Sequence, residues 1–147
     1  MRTSEDNLIG TQPEIANSEI VVFENGELRL DVPVSLEEET VWLNREQLAS
    51  LFLTDRTSIG RHIRNIYAND ELEYESTCAK IAHVPDVRER LYEIEYFNLD
   101  MILAIGYKVN AKQGIIFRKW ASKILKQYLV NGYAVNQERM KQLQIAI

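Results

Sequence analysis

The stretch of sequence that sets the fold runs from residue 44 to residue 67 and reads NREQLASLFLTDRTSIGRHIRNIY. Asn44 is a candidate helix N-cap, and Gln47 three residues later completes the spacing of a capping box. Apolar residues at positions 48, 51 and 52 follow at helical spacing. We therefore predict a short helix over residues 45–52, which ends where Leu53 and Thr54 interrupt the pattern.

A second helix is predicted over residues 56–67, with Asp55 as its candidate N-cap. Isoleucines recur at positions 59, 63 and 66, so they form one apolar stripe along this helix. Two short helices separated by a three-residue break form the helix-turn-helix arrangement. The alternative is an ordinary pair of helices inside a core.

The face opposite the isoleucine stripe is polar and cationic. With Ile59 as zero and about 100° per residue, Thr57, Arg61 and Arg64 lie between about 140° and 200°. Such side chains suit a helix that enters the major groove of DNA. The residues expected to contact bases or neighbouring phosphates are Arg56, Thr57, Ser58, Arg61 and Arg64.

Two residues in this stretch are unusual for their positions in a helix-turn-helix. Leu53 occupies the turn position where glycine is most usual, because a left-handed conformation is often needed there, so we expect a changed turn. Gly60 lies inside the second helix, where glycine costs about 1 kcal/mol relative to alanine. A close approach to DNA or to another backbone would account for that glycine.

The sequence before the helix pair predicts strands. A short β-type run at residues 20–23, the hairpin signal Asn25-Gly26 and apolar alternation over residues 28–34 indicate a β-hairpin. An acidic loop follows, and residues 41–43 are a candidate third strand. Residues 1–18 have few large apolar side chains, so we predict a disordered acidic tail there.

The sequence after the helix pair predicts a second hairpin and two helices. Residues 78–84 and 90–97 are extended runs around Pro85-Asp86, and they would form a wing with Arg88 as its DNA contact. One helix is expected from Asn98 to near Gly106, and a longer one covers residues 111–129.

These predicted elements add up to one α+β domain over residues 19–135. Its expected fold is a winged helix-turn-helix core with an N-terminal β-hairpin and C-terminal helices. Residues 136–147 start a further helical pattern, as they would in a fragment of a longer protein.

Charge is divided unevenly along a chain whose net charge is −5. Residues 1–43 contain ten acidic and two basic side chains, whereas residues 44–147 contain 15 basic and 12 acidic ones. Residues 101–137 contain no acid, and the predicted long helix aligns Lys119, Lys123 and Lys126 on one face. These lysines would follow a phosphate backbone, or they would only keep the protein soluble.

Composition and motifs exclude several other classes of protein. One cysteine and two histidines exclude an internal disulfide and leave little for a metal site. We find no apolar run long enough to cross a bilayer, and no phosphate loop or nucleophile elbow. We therefore predict a cytoplasmic protein that has no cofactor, no metal and no enzymatic activity.

Several dispersed strings resemble the RhuM family of bacterial virulence-associated proteins. They are TVWLNREQLASLF at 40–52, IGRHIRNI at 59–66, YFNLD at 96–100, IGYKVN at 105–110, FRKWA at 117–121 and LKQYL at 125–129. The similarity spans about residues 19–137. The same module is found ahead of Fic-type domains and resembles the N-terminal domains of phage antirepressors. The resemblance therefore implies a DNA-binding or regulatory module without catalytic residues.

Two functions follow as hypotheses. The first is sequence-specific binding of double-stranded DNA by a regulator, as a homodimer held by apolar residues beyond position 120. The second is a protein-interaction module that docks or restrains a toxin or effector domain, which the acidic residues 1–43 favour. An exposed apolar patch on the second helix would favour docking over DNA binding.

Overall fold

The computed structural model describes residues 18–83 and 92–131 and has an α+β architecture. Its elements in chain order are β1 (Glu19–Asn25), β2 (Leu28–Ser35), β3 (Thr40–Asn44), α1 (Arg45–Leu51), α2 (Arg56–Ala68), α3 (Tyr74–Thr77), β4 (Cys78–His83), β5 (Tyr92–Asn98), α4 (Leu99–Val109) and α5 (Ala111–Asn131). The five strands form one antiparallel sheet in the order β1-β2-β3-β5-β4. The predicted fold class, α+β, is therefore confirmed.

The core lies between the helices and one face of the sheet. Alternate strand residues such as Phe23, Val32 and Leu43 are buried there with the apolar stripes of the long helices. Phe23 makes edge-to-face contacts with Phe117 and Trp120 of α5 at centroid distances of 5.1 and 5.2 Å. The N-terminal hairpin and the last helix therefore belong to the same core.

The first hairpin turns one residue later than its sequence signal indicated. Asn25 pairs with Leu28, so the two central residues of the turn are Gly26 and Glu27. Gly26 has a φ of +63°, and glycine at the first central position is the type II′ arrangement. Asn25 therefore precedes the central residues of the turn, and its Nδ2 donates to Gln113 Oε1 at 3.3 Å.

Both predicted N-caps of the helix pair are confirmed. The Gln47 N–H donates to Asn44 Oδ1 at 2.9 Å, and the Asn44 N–H donates to Gln47 Oε1 at 3.0 Å, which completes the capping box. Asp55 accepts from the Ser58 N–H at 2.6 Å. The three isoleucines of α2 are buried, as their spacing predicted.

The turn between α1 and α2 keeps the left-handed geometry that glycine would adopt. Leu53 has a φ of +59°; its N–H donates to the Ser50 carbonyl, and the Thr54 N–H donates to the Ala49 carbonyl at 3.0 Å. This pattern is a Schellman motif with leucine at its C′ position. The expectation of a changed turn is therefore wrong, because the leucine accepts the strained conformation instead.

Gly106 does not end α4, contrary to the prediction, because the helix continues to Val109. A Cβ on Gly106 would lie 2.8 Å from the Phe52 ring and 3.2 Å from the Gly114 Cα. The glycine is therefore required by the close crossing of α4 and α5, into which the Phe52 ring packs. Two hydrogen bonds fix the same region: Gln113 Nε2 donates to the Leu51 carbonyl at 3.0 Å, and Asn110 Nδ2 donates to the Phe52 carbonyl at 3.4 Å.

Some predictions lie wholly or largely outside the described residues. They concern the acidic tail at 1–18, the wing tip at Pro85–Arg88 and the helical pattern at 136–147. Within the described part of the chain, the one-turn helix α3 was not predicted. It has no side-chain cap, and a single turn is too short to show a helical period.

Replacing Leu53 by glycine tests the strain in the turn. Leu53 is 74% exposed, so little packing offsets its left-handed conformation. We expect Leu53→Gly to raise the free energy of unfolding by about 0.5–1 kcal/mol in urea denaturation. Leu53→Ala, which keeps the Cβ, is the control and should remain close to the wild type. A glycine variant less stable than the wild type would contradict this account.

Candidate nucleic-acid interface

The outward face of α2 is polar and cationic along its whole length. Thr57, Arg61 and Arg64 are exposed and Ser58 is half-buried, whereas the isoleucines on the other side are in the core. Arg61 Nη2 donates a long hydrogen bond of 3.4 Å to Ser58 Oγ. Between residues 56 and 68 no large apolar side chain is exposed. This face therefore offers donors and positive charge, and no apolar anchor.

Arg56 differs from the other two arginines of α2. Its Nη1 lies 3.5 Å from Glu46 Oε2 on α1, and both side chains are largely exposed. An exposed ion pair of this kind contributes little to stability and is easily exchanged for another anion. Arg56 can therefore contact a phosphate only in competition with Glu46.

A cleft of about 490 Å³ separates the beginnings of α1 and α2 from the β4–β5 hairpin. Three basic and three acidic side chains line it, and they are paired as Arg45–Glu95, Arg56–Glu46 and Lys80–Glu93. The charges in this cleft are therefore balanced. Sequence reasoning missed Arg45 and Lys80, because their partners are brought near only by strand pairing and by the packing of α1 on the sheet.

The strongest of these pairs joins the start of α1 to the hairpin. Arg45 Nη1 lies 2.6 Å from Glu95 Oε1, and its guanidinium packs over the Phe97 ring at 5.1 Å. The Tyr74 hydroxyl donates to the other carboxylate oxygen of Glu95 at 3.0 Å. Three elements, α1, α3 and β5, therefore converge on one carboxylate.

This network shifts the pKa values of the groups around it. Burial alone would raise the pKa of Glu95, but hydrogen bonds from Arg45 and Tyr74 and the charge of Arg45 outweigh it, so that pKa is lowered. Burial, together with the nearby charge of Glu95, raises the pKa of the Cys78 thiol to about 11. Cys78 is fully buried, so its thiol is protonated and unreactive in the folded protein.

The C-terminal end of α2 is attached to α3 by a tyrosine. The Tyr67 hydroxyl and the buried Thr77 hydroxyl are 2.8 Å apart, and the rings of Tyr67 and Tyr74 meet edge to face at 5.5 Å. Burial raises the pKa of Tyr67 to about 12, although the hydrogen bond to Thr77 opposes that shift. The helix carrying Arg61 and Arg64 is therefore fixed to α3 at its C-terminal end.

A second basic surface lies on α5. Lys119, Lys123 and Lys126 are exposed on one side of this helix, as predicted, and Phe117 and Tyr128 are buried on the other. Arg118, Ser122 and the three lysines line a shallow depression. None of these cations forms an ion pair with a residue in the described part of the chain. This surface belongs to a different helix from α2, and α4 packs against both helices.

The nine predicted site residues therefore fall into three groups. Arg56, Thr57, Ser58, Arg61 and Arg64 share α2; Lys119, Lys123 and Lys126 share α5; Arg88 lies outside the described residues. The structure places Thr57, Arg61 and Arg64 on the exposed face of α2, whereas Ser58 is half-buried at one side of that face and Arg56, at the other side, is already paired with Glu46.

The family model described as "Virulence protein RhuM family" matches residues 76–146 of the chain. By this match, residues 76–146 belong to the RhuM family. The matched segment contains β4, β5, α4 and α5, and it begins after α2. The RhuM resemblance noted at residues 40–52 and 59–66 therefore lies before that segment. No curated protein and no solved structure matches the chain.

Two further findings concern metal binding and membrane spans in the described residues. Among residues 18–83 and 92–131, no group of three histidine, cysteine, aspartate or glutamate side chains is placed to hold a metal ion. The helices of this part of the chain are all too short or too polar to span a bilayer.

Glu95→Gln tests the network around the carboxylate. Because the pKa of Glu95 is lowered in the folded state, its stabilisation is full above its ordinary pKa of 4.5 and is lost as the pH falls through the lower folded value. We expect Glu95→Gln to cost about 1–2 kcal/mol at pH 7. In urea denaturation at a series of pH values, the difference from the wild type should shrink progressively below pH 4.5.

Glu93→Gln is the matched control for this measurement. Glu93 lies 3.7 Å from Lys80 in a more exposed pair, so its loss should cost under about 0.5 kcal/mol at any pH. A Glu95→Gln difference that stays constant down to pH 3 would show that the charge of Glu95 is not what stabilises the hairpin.

Proposed function

We propose that the chain binds double-stranded DNA through α2, with the β4–β5 hairpin beside it as a wing. The order β3-α1-α2-α3-β4-β5 supports this proposal, since a helix pair followed by a β-hairpin is the arrangement of winged helix-turn-helix proteins, and only the single turn α3 lies between α2 and the hairpin. Strand β5 pairs with both β3 and β4, so the hairpin is part of the sheet beneath the helix pair. A DNA-binding regulator of this kind acts in the cytoplasm.

The observation that supports DNA over a protein partner is the composition of the exposed face of α2. A helix that docks into a protein groove presents apolar anchors at helical spacing. The exposed face of α2 instead presents Thr57, Arg61 and Arg64, with every isoleucine of the helix in the core. Arginine donors in the major groove recognise guanine, and hydroxyl groups contact bases or phosphates.

The arginines rather than the helix terminus have to supply the positive charge. The Asp55 carboxylate accepts from the Ser58 N–H, so one of the free backbone donors at the start of α2 is already occupied by an anion. Arg61 and Arg64, one turn further on, have no ion-pair partner in the described part of the chain. Lys119, Lys123 and Lys126 would add contacts to the phosphate backbone.

Alanine variants of the two arginines test the proposed contact. Exposed substitutions change folding stability by under about 0.5 kcal/mol, whereas loss of a base-reading arginine costs about 1–3 kcal/mol of binding. We expect Arg61→Ala and Arg64→Ala to melt like the wild type and to bind a preferred duplex about 5- to 100-fold more weakly. Fluorescence anisotropy measures the affinity, and thermal melting measures the stability.

Two further variants separate the possible roles. Lys123→Ala should weaken binding to all sequences alike and lower the slope of log K against log salt by about one. Arg29→Ala on β2 is the control, because Arg29 is an exposed arginine that lies outside α2 and is paired with Glu24. If both α2 variants bind the preferred duplex as tightly as the wild type, α2 is not the reading helix.

We propose in addition that the chain forms a homodimer through the end of α5. Leu129 and Val130 are 64% and 80% exposed, although Tyr128 and Ile124 on the same helix are buried. Exposed apolar side chains at a helix end favour association, and two-fold dimers commonly read paired DNA half-sites.

Light scattering measures the proposed assembly directly. At about 100 μM the wild type should have the mass of a dimer, and Leu129→Ser with Val130→Ser should shift the mass toward that of a monomer, because burial of each side chain is worth about 1.5–3 kcal/mol. Ile115→Ser is the control, since Ile115 is exposed near the other end of α5. A monomeric wild type under these conditions would disprove the dimer.

Docking of a toxin or effector domain is the second candidate function. The exposed apolar residues Leu53 and Tyr107 favour it, because neither is explained by the core. Leu53 also holds a strained conformation, which is a feature of binding sites. The arginine titrations decide between the two functions, since docking at Leu53 does not require Arg61 or Arg64.

A further inference from the structure

Gly60 is the residue of α2 that the fold does not explain. It lies in the middle of the helix, where glycine is less favourable than alanine because it loses more backbone entropy on folding. Its φ is not positive, so it adopts the ordinary helical conformation that any residue can take. The chain therefore keeps a destabilising residue at a position with no conformational demand for it.

Packing does not require this glycine either. A Cβ on Gly60 would meet only Arg64 Nη1, at the ordinary contact distance of 3.7 Å. Gly106 is different, because its Cβ would lie 2.8 Å from the buried Phe52 ring. One of the two explanations open from the sequence, close approach of another backbone in the same chain, is therefore removed for the described residues.

The position of Gly60 shows which part of the α2 surface has no side chain. With Ile59 as zero, Gly60 lies at about 100° and Arg64 at about 140°, so the two are neighbours on one flank of the exposed face. The Arg64 guanidinium lies beside the Gly60 backbone. The half-buried helix backbone at Gly60 is thus bordered by the arginine that the proposed function assigns to DNA.

We infer that Gly60 is the point at which α2 comes closest to DNA, where the missing side chain lets the helix sit deeper in the major groove. This inference rests on the proposed function. The groove is about 12 Å wide and only just admits an α-helix, so a side chain on its flank displaces the helix outward. A methyl group adds roughly one carbon–carbon bond length, about 1.5 Å, and separates Arg64 from its contact by a comparable distance.

Gly60→Ala tests the inference, because folding and binding should respond in opposite directions. The probe is a fluorescein-labelled 20-base-pair duplex that the wild type enriches from a random library. We expect Tm to rise by roughly 2–6 °C, since alanine is the better helix former and has room. We expect affinity for the duplex to fall fivefold or more, and Gly60→Leu to bind more weakly still.

Two controls define how the result is interpreted. Gly106→Ala should lower Tm, which shows that the melting assay detects a glycine required by packing. In an Arg64→Ala background, Gly60→Ala should still lower the affinity fivefold or more, because the contact belongs to the helix backbone and not only to Arg64.

Each other outcome overturns the inference. A fall in Tm for Gly60→Ala means that the fold requires the glycine. A loss of affinity smaller than fivefold in either background means that DNA does not approach Gly60 closely, while the proposed function stands. If the wild type enriches no duplex from the library, the proposed function itself fails and the inference fails with it.

Discussion

The packing of Phe52 against Gly106 is the constraint on which the arrangement of the helices depends. The ring lies where α4 and α5 cross, and a side chain on Gly106 would collide with it at 2.8 Å. The carbonyls of Leu51 and Phe52 also receive hydrogen bonds from the start of α5 and from Asn110. The turn between α1 and α2 is therefore held by residues 54 to 62 positions later in the chain, and α2 takes its direction from that turn.

The basic side chains of the described residues fall into two groups, those in ion pairs and those without an ion-pair partner. The cations that line the cleft next to the hairpin are matched one to one with carboxylates, so they orient elements and leave little net field. Arg61, Arg64 and the lysines of α5 have no such partners among the described residues. A chain with a net charge of −5 thus keeps local positive surfaces, because its acidic side chains are concentrated elsewhere.

Local signals predicted most of the fold correctly. The capping residues Asn44 and Asp55, the isoleucine stripe of α2 and the alternation in β2 depend on neighbours within four residues, so the sequence alone shows them. Tertiary contacts decided the rest. The role of Gly106 depends on Phe52, and the left-handed Leu53 depends on the closing hydrogen bonds of its turn. The candidate site divides in the same way: the face of α2 was visible in the sequence, whereas the ion pairs of Arg45 and Lys80 were not.

The buried thiol has a consequence for the motions of the hairpin. Cys78 is the only cysteine, it begins β4, and it lies opposite Phe97 beneath the Glu95 network. A reagent can reach the thiol only after the strand has separated from its neighbours, and the raised pKa slows reaction further. The rate of thiol labelling in native buffer therefore reports how often the hairpin detaches from the helices. The Cys78 thiol is thus a built-in probe of local opening. A ligand on α2 that holds the hairpin against the helix pair would lower the labelling rate.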